Sequence, residues 1–518
     1  MDTMWLLLFV GILASISYGQ DEGLPCVPRT FDQNSFVCVC NATYCDTLPR
    51  LSLPIEGKFA LYTSDLSSKR FFKSVHDFNT EGVGVTASEV VNFTLGSTTY
   101  QTMLGWGGAF TDAATLNILT LSPEAQDVLL RSYFSESGIE YNLGRINMGG
   151  CDFSWRGYTC DDVEGDITLE HFELQPEDLE YKIPIIKRAA AMTEKGLNIF
   201  ASPWSAPAWM KTNNDYIGFG QLLKEMYQPW ANYFIKFLDG YAANGVKIWG
   251  LTAENEPAAG YIPFYPFNCM GFTAKEQLEW ITKYLGPTLE AHGYGDVILM
   301  TLDDNRVFLP EWAETVLNDA TAAQYVDGIA VHWYVDKLMS PDRLTNTHDK
   351  FPNHFIFATE ACEGFGGPHA KNPIRLGMWD RLENYAHDII QDVNHWVTGW
   401  TDWNLALDMK GGPNWANMSA DAAIIIDKEK DEFYKNPMFY AMGHFSKFVK
   451  EGAVRLELTS SSAPNQLEAT AFRNADGTRV VVVLNRSETA VEVRVQVEDQ
   501  GTMVIDVEPR SLHTAIFA

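Results

Sequence analysis

Two short apolar runs in the middle of the chain end in paired or flanked carboxylates. Residues 247–253 lead into Glu254-Asn255-Glu256-Pro257, and residues 354–359 lead into Glu360-Ala361-Cys362. Other apolar runs end in Cys151-Asp152-Phe153, Trp204, Asp303-Asp304, His332-Trp333-Tyr334 and Asp402-Trp403-Asn404. An apolar strand needs no acid at its end for stability, and burying a lone charge is costly unless it is paired or hydrogen-bonded. Any one of these acids can be read as a solvated or ion-paired loop residue; the set reads as a site. Two carboxylates on one rim suit glycoside hydrolysis. One must be protonated to assist the leaving oxygen and the other ionised to attack the anomeric carbon, and in retaining enzymes they lie about 5–5.5 Å apart. The indoles of Trp204 and Trp403 offer flat faces to a sugar ring, and Asp152, Asp402 and Asn255 offer hydrogen bonds to its hydroxyls.

The elements that must position these groups follow from the pattern around them. Residues 103–108, 141–147, 197–204, 247–253, 297–302, 328–333, 354–359 and 397–403 are the kind of apolar run expected of strands buried on both faces. Helix signals separate them: Ser122-Pro123 as an N-cap with Pro at the first helical position, and Thr273 with Glu276 as a capping box. Eight strands with intervening helices predict a (β/α)8 TIM barrel, whose catalytic groups belong at the C-terminal ends of the strands. A doubly wound open sheet is the alternative, but no Gly-rich dinucleotide fingerprint follows the first strand. From about Ala453 the pattern changes. An Asp476-Gly477 turn precedes an apolar strand at 479–484, and Val491, Val493, Val495 and Val497 alternate with polar residues, as in an all-β module. Residues 51–100 are also strand-like and are expected to join that module from the other end of the chain. Trp209 and Trp230 are read as packing residues.

Composition limits the setting. With 38 Lys+Arg against 67 Asp+Glu the 518-residue chain carries a formal charge of −29, which excludes nucleic acid as a natural partner and favours an acidic compartment, where repulsion from anionic lipid weakens. The apolar run at 5–16, followed by Ser17 and Gly19, predicts a signal peptide over 1–19, with a signal anchor as the alternative. Cys26, Cys38, Cys40 and Cys45 then cluster without the CxxC pairs of a zinc site, predicting a disulfide-stapled segment whose pairing is open among three arrangements. Sequons at Asn41, Asn92, Asn417 and Asn485 agree with the secretory route.

The stretches GWGGAFTDAATLNIL at 105–119, NMGGCDFS at 147–154, ASPWSAPAWMKT at 201–212, LTAENEPAAG at 251–260, GIAVHWYVD at 328–336, FATEAC at 357–362, GWTDWNLAL at 399–407 and FYKNPMFYAMGHFSKF at 433–448 resemble the acid β-glucosidases (glucosylceramidases) of glycoside hydrolase family 30, in the family's order and across the mature chain. The resemblance implies Glu256 as acid/base and Glu360 as nucleophile. It implies a glucose pocket of Asp152, Trp204, Asn255, Asp402 and Trp403, rim aromatics Tyr265 and Phe267, and supporting Arg145, His332 and Tyr334. It also implies bridges Cys26–Cys38 and Cys40–Cys45, no metal or organic cofactor, and retaining hydrolysis of glucosylceramide at a membrane surface, with a saposin-type activator and anionic lipid as partners, in the lysosome or outside the cell. The expected division is a small, three-stranded disulfide-bearing β domain from 20–50 plus 405–436, a β-sandwich from 51–100 plus 453–518, and a catalytic barrel from 101–404 plus 437–452. A relative acting on another β-glycoside, or an inactive carbohydrate- or lipid-binding relative, are the alternatives. Three departures from the family pattern stand out. Met418 falls where the family has a glucose-contacting Asn, with Asn417 one place earlier. The 360–375 loop, with Gly364, Gly366, Gly367 and Pro368, is two residues longer than is usual in the family. Cys160 is an added cysteine whose spacing admits a Cys151–Cys160 bridge beside Asp152, free thiols being the alternative.

Overall fold

The computed structural model describes residues 23–79, 89–365, 373–460, 463–464 and 466–518. The expected leader at 1–19 and Gly366, Gly367 and Pro368 lie outside the described residues. Eight parallel strands close into a barrel in chain order: β1 Gly105–Ala109, β2 Leu143–Met148, β3 Asn198–Pro203, β4 Ile248–Thr252, β5 Ile298–Asn305, β6 Gly328–His332, β7 Phe355–Glu360 and β8 Val397–Asn404, with β8 pairing back onto β1. Each arises from one of the eight apolar runs, and closure removes the edges that an open sheet would leave. Leu143, Phe200, Met300, Ala330 and Phe357 fill the interior, so the barrel is a packed core that leaves its strand ends as the place for a site. The two helix signals form as read. The Ser122 side chain caps Pro123–Phe134, and Thr273 and Glu276 make a reciprocal capping box on Ala274–Trp280. Trp230 is fully buried against Tyr233 and Phe234, and Trp209 donates from Nε1 to the Asp161 carbonyl, so both are packing residues.

Strands from both chain ends build one nine-stranded sheet. Its order is Gly501–Val507, Val491–Val497, Glu89–Thr102, Val454–Ser460, Leu467–Arg473, Arg479–Asn485, Ser511–Phe517, Lys58–Asp65 and Phe72–Asp77. Its two ends meet: the Asn79 N–H donates to the Thr502 carbonyl at 2.8 Å, and the Asn79 side-chain oxygen accepts from the Thr502 N–H at 2.8 Å. The residues turned inward, including Phe59, Val91, Val481, Val493 and Ile505, form a separate apolar core. Arg510 fastens this module to the barrel, donating to both oxygens of Glu383 and to Asp380 on helix Trp379–Asn394.

The third sheet corrects the expectation of three strands. It has five: Pro28–Thr30, Phe36–Asn41, Glu432–Lys435, Ile424–Asp427 and Leu407–Asp408. Short strands occupy both edges: Leu407–Asp408 leaves the end of β8 and adds in parallel to Ile424–Asp427, and Pro28–Thr30 adds antiparallel to Phe36–Asn41. Cys26 is bonded to Cys38 and Cys40 to Cys45. Cys151 and Cys160 are free, buried thiols, so the bridge between them does not form. Cys151 faces the apolar cluster around Trp204 and Trp403, whereas Cys160 belongs to the main barrel core, so the two sulfurs serve different packing faces. The Asn485 sequon is corrected too. Its Nδ2 is buried and donates to the carbonyls of Thr489 and Glu508, leaving no room for a glycan, whereas Asn92 and Asn417 are exposed.

Candidate active site

Asp303, at the end of β5, is the centre of the site. A register shift between Leu302 and Asp304, with Leu302 at φ 72° and Asp303 at φ 58°, turns the Asp303 carboxylate into the barrel. Left-handed backbone at non-glycine residues is strained and persists only where surrounding bonds over-determine it. Those bonds are present. Oδ2 accepts from Arg145 on β2 (2.9 Å) and Thr252 on β4 (2.6 Å), and Oδ1 accepts from Thr359 on β7 (2.6 Å) and lies 3.1 Å from Nε2 of His332 on β6. Burial alone would raise this carboxyl. Arg145, His332 and Thr252 outweigh it and hold Asp303 well below the usual carboxylate range.

From this hub one link runs to each of the predicted acids. Arg145, fully buried, also donates to Glu360, to the Asn255 side-chain oxygen at 2.8 Å and to Ser202 at 3.2 Å. Burial opposes its charge, but Asp303 and Glu360 keep the guanidinium above its ordinary value. Tyr334 donates to the second oxygen of Glu360 at 2.5 Å. On the other side, His332 Nδ1 stands 3.3 Å from Glu256, whose second oxygen accepts from Tyr265 at 3.0 Å. Burial works against a charge on His332, but Glu360, Asp303 and Glu256 overcome it and push the imidazole up to about 10. Carboxylate oxygens of Glu256 and Glu360 and a ring nitrogen of His332 lie within 4.8 Å of one another. This separation matches the short spacing of a nucleophile and its acid/base partner, not the roughly 6.5–9.5 Å of pairs that leave room for a water. A cation has poor standing among these three, since Arg145 already places its charge against Glu360 and His332 is held protonated. Glu256 itself sits at φ 44°, the second strained position on the rim, with its backbone N–H bonded to the Asp303 carbonyl.

Aromatic and acidic side chains surround the two glutamates. Trp204 and Trp403 stack at 5.2 Å between centroids, with the Arg145 guanidinium 4.9 and 5.3 Å from their rings. Tyr265 and Phe267 meet at 4.6 Å on the rim. Asp152 is buried, and burial followed by the charges of Glu360 and Glu256 pushes it well up. Burial likewise pushes Asp402 up to about 7, although Tyr385 donates to it at 2.7 Å. Asn414 reaches Asp152 at 3.4 Å, and its own side-chain oxygen accepts from the Ala416 and Met418 amides. Met418 packs against the apolar cluster of the pocket, and Asn417 points to solvent at φ 57°. Glu254, the first acid of the Glu254-Asn255-Glu256 turn, is buried and has no hydrogen bond from its carboxyl among the described residues. Burial pushes it well up. Sequence reading missed the central role of Asp303, together with Thr252, Thr359, Ser202 and Tyr385. Asp303 was visible only as one more acid at a strand end.

The glycosyl hydrolase family 30 TIM-barrel domain matches residues 103–449, and that family's β-sandwich domain matches residues 452–515. The chain belongs to glycosyl hydrolase family 30. It is 47% identical over 501 residues, 95% of each chain, to lysosomal acid glucosylceramidase of Mus musculus. Among solved structures, SrfJ from Salmonella typhimurium superposes with a TM-score of 0.79 at 28% identity, covering 89% of this chain and 99% of that one. An endo-β1,6-glucanase, BT3312, superposes with a TM-score of 0.78 at 28% identity and the same coverage. As a family 30 member the chain is an enzyme of the β-glycosidase type, with the family's retaining chemistry.

The His332–Asp303 pair has a pH signature. A histidine whose folded value is raised contributes stability that is complete below its unfolded value of about 6.5 and lost as pH rises through the folded value, here about 10. Replacing His332 by Asn is expected to lower stability at pH 5 by about 3 kcal/mol and to flatten its decline towards alkaline pH. Urea unfolding at several pH values checks this, and equal slopes in parent and variant would count against the pairing.

Proposed function

We propose that the chain is a glucosylceramidase that cleaves the β-glucosidic bond of glucosylceramide to glucose and ceramide by double displacement, with Glu360 as nucleophile and Glu256 as acid/base. The observation that carries this reading is the approach of these two carboxylates to within 4.8 Å in a pocket walled by Trp204, Trp403, Asp152 and Asp402. In the first step Glu256 gives its proton to the departing ceramide oxygen while Glu360 bonds to the anomeric carbon. In the second, Glu256 takes a proton from water as it attacks, and Glu360 leaves. Arg145 and Tyr334 hold Glu360 in place, and Tyr265 and His332 do the same for Glu256. Asn255, fixed by Arg145, is the group for the 2-hydroxyl of the sugar. Asp152 and Asp402 face the remaining hydroxyls.

The lipid part of the substrate is supported by the named activity of the mouse relative and by the rim. Ile262, Phe264 and Phe219 are exposed beside Tyr265. Phe264 is 95% exposed and held at φ 61°, a strained backbone that presents an aromatic ring to the outside. This patch suits a ceramide-bearing bilayer, with a saposin-type activator and anionic lipid as accessory partners. The same reading places the protein in the secretory pathway, in the lysosome or outside the cell, with glycans at Asn41, Asn92 and Asn417. Among the described residues no helix is long and apolar enough to cross a membrane.

Three variants test this reading. Glu360→Gln is expected to lose turnover on every β-glucoside, since an amide forms no ester intermediate; measurable turnover by a fluorogenic assay at pH 5 sinks the assignment. Glu256→Gln is expected to lose activity on glucosylceramide while keeping glycosylation by activated aryl glucosides, and equal losses on both count against its acid role. Phe264→Ser is expected to lower turnover of glucosylceramide in vesicles by about tenfold more than turnover of a soluble glucoside. Parallel losses, or none, would remove the patch from substrate access.

A further inference from the structure

Arg306, on the turn after β5, sits beneath the segment 333–341. It donates to the carbonyls of Asp336 (2.8 Å) and Met339 (2.7 Å) and pairs with the side chains of Asp336 (3.1 Å) and Asp392 (3.4 Å). Asp388 and Asp392 stand one turn apart on helix Trp379–Asn394. Carboxylate oxygens of Asp336, Asp388 and Asp392 all lie within 4.8 Å of one another. One guanidinium therefore pairs with two of three neighbouring carboxyls, all of them largely out of water. Three ionised carboxylates so close together in a weakly screened place repel one another, which favours a proton held among them. Trp333, at the start of the segment, packs edge-on against Tyr385 and Trp400, and the Arg306 bonds hold the stretch that follows. A cavity of about 470 Å3 opens between it and the helix, lined by Tyr334, Leu338, Cys362, Phe365, Asn384 and Gln391, and Leu338 is exposed. At the root of the segment is Tyr334, the donor to Glu360.

We propose that Asp336 and Asp388 are positioning residues, sharing a proton that fastens the 333–341 segment to helix Trp379–Asn394 and thereby keeps the Tyr334 hydroxyl on Glu360. The proposal rests on the reading of Glu360 as nucleophile. The surrounding groups are these: Asp336 faces Asp388, Arg306 and His332; Asp388 accepts from Trp400 Nε1 at 3.0 Å and faces Arg306 and His387; Asp392 faces Asp388, Asp336 and Arg306. Burial, then the charge of Asp388, pushes Asp336 up to about 8, and burial pushes Asp388 and Asp392 up as well. A carboxyl raised in the folded state favours folding most below its unfolded value, and the benefit is lost as pH rises through the folded one. The fastening is therefore complete in acid and undone in alkali, the same sense as for His332. Arg306 already supplies the cation of this cluster, and a metal is not part of the proposal.

The test uses the full chain with 2,4-dinitrophenyl β-glucoside, whose leaving group needs no proton, so the titration of Glu256 drops out of the first step. In the parent, the single-turnover rate of dinitrophenol release is expected to fall about tenfold between roughly pH 6 and pH 9. In Asp388→Asn and in Asp336→Asn, where an amide supplies the shared hydrogen without titrating, the rate is expected to stay within about threefold over that range. Thermal unfolding at pH 5 confirms that each variant is folded, and either variant alone suffices. The absence of an alkaline fall in the parent, or the same fall in the folded variants, overturns the proposal while normal turnover at pH 5 leaves the role of Glu360 standing. No turnover by the folded parent at pH 5 would remove both.

Discussion

The site depends on one buried negative charge. Asp303 takes donors from Arg145, Thr252, His332 and Thr359, so a single carboxylate on β5 ties together β2, β4, β6 and β7. The two cationic donors each go on to one of the two facing glutamates, Arg145 to Glu360 and His332 to Glu256. The strained backbone at Leu302 and Asp303 is what this arrangement costs locally. In exchange, two cations sit in the dry centre of a barrel with their charges matched, and Glu256 and Glu360 inherit fixed positions from a carboxylate buried beneath them.

Around this charged centre the remaining acids behave differently. Asp152 and Asp402 are buried without a cation, and their carboxyls are pushed up by burial. With their carboxyls pushed up, they are groups able to donate as well as accept, while the matched charges gather on the Arg145 side. Fixed dipoles and charges in place of water are the usual source of rate enhancement in such pockets. Here the stacked pair Trp204 and Trp403 does the excluding, and it also caps the faces of the Arg145 guanidinium.

Much of this was legible before any coordinates. The eight strands announced themselves because strands buried on both faces must be continuously apolar, and their C-terminal ends had to be where polar residues return. Glu256 and Glu360 were visible as acids at such ends, and the resemblance separated them from Glu254. Asp303 carried no such signal, since an acid that serves as a structural anion has the same local pattern as any other strand-end acid. The strand count of the small sheet failed because its short edge strands, Pro28–Thr30 and Leu407–Asp408, are strands by position and not by composition. The Asn485 sequon failed because a three-residue motif carries no information on burial. The spacing of Cys151 and Cys160 permitted a bridge, but the turn between them sends the sulfurs to opposite cores.

The nine-stranded sheet has a consequence for how the protein is made. Strand Lys58–Asp65 has two neighbours, Phe72–Asp77 and Ser511–Phe517, and the second of these follows the whole barrel in the sequence. The hairpin at 58–77 must therefore wait, with an open hydrogen-bonding edge, through the synthesis of the whole barrel. Pairing Lys58–Asp65 with Ser511–Phe517 closes a very long loop, and contacts so distant in sequence form slowly and leave strand edges open in the meantime.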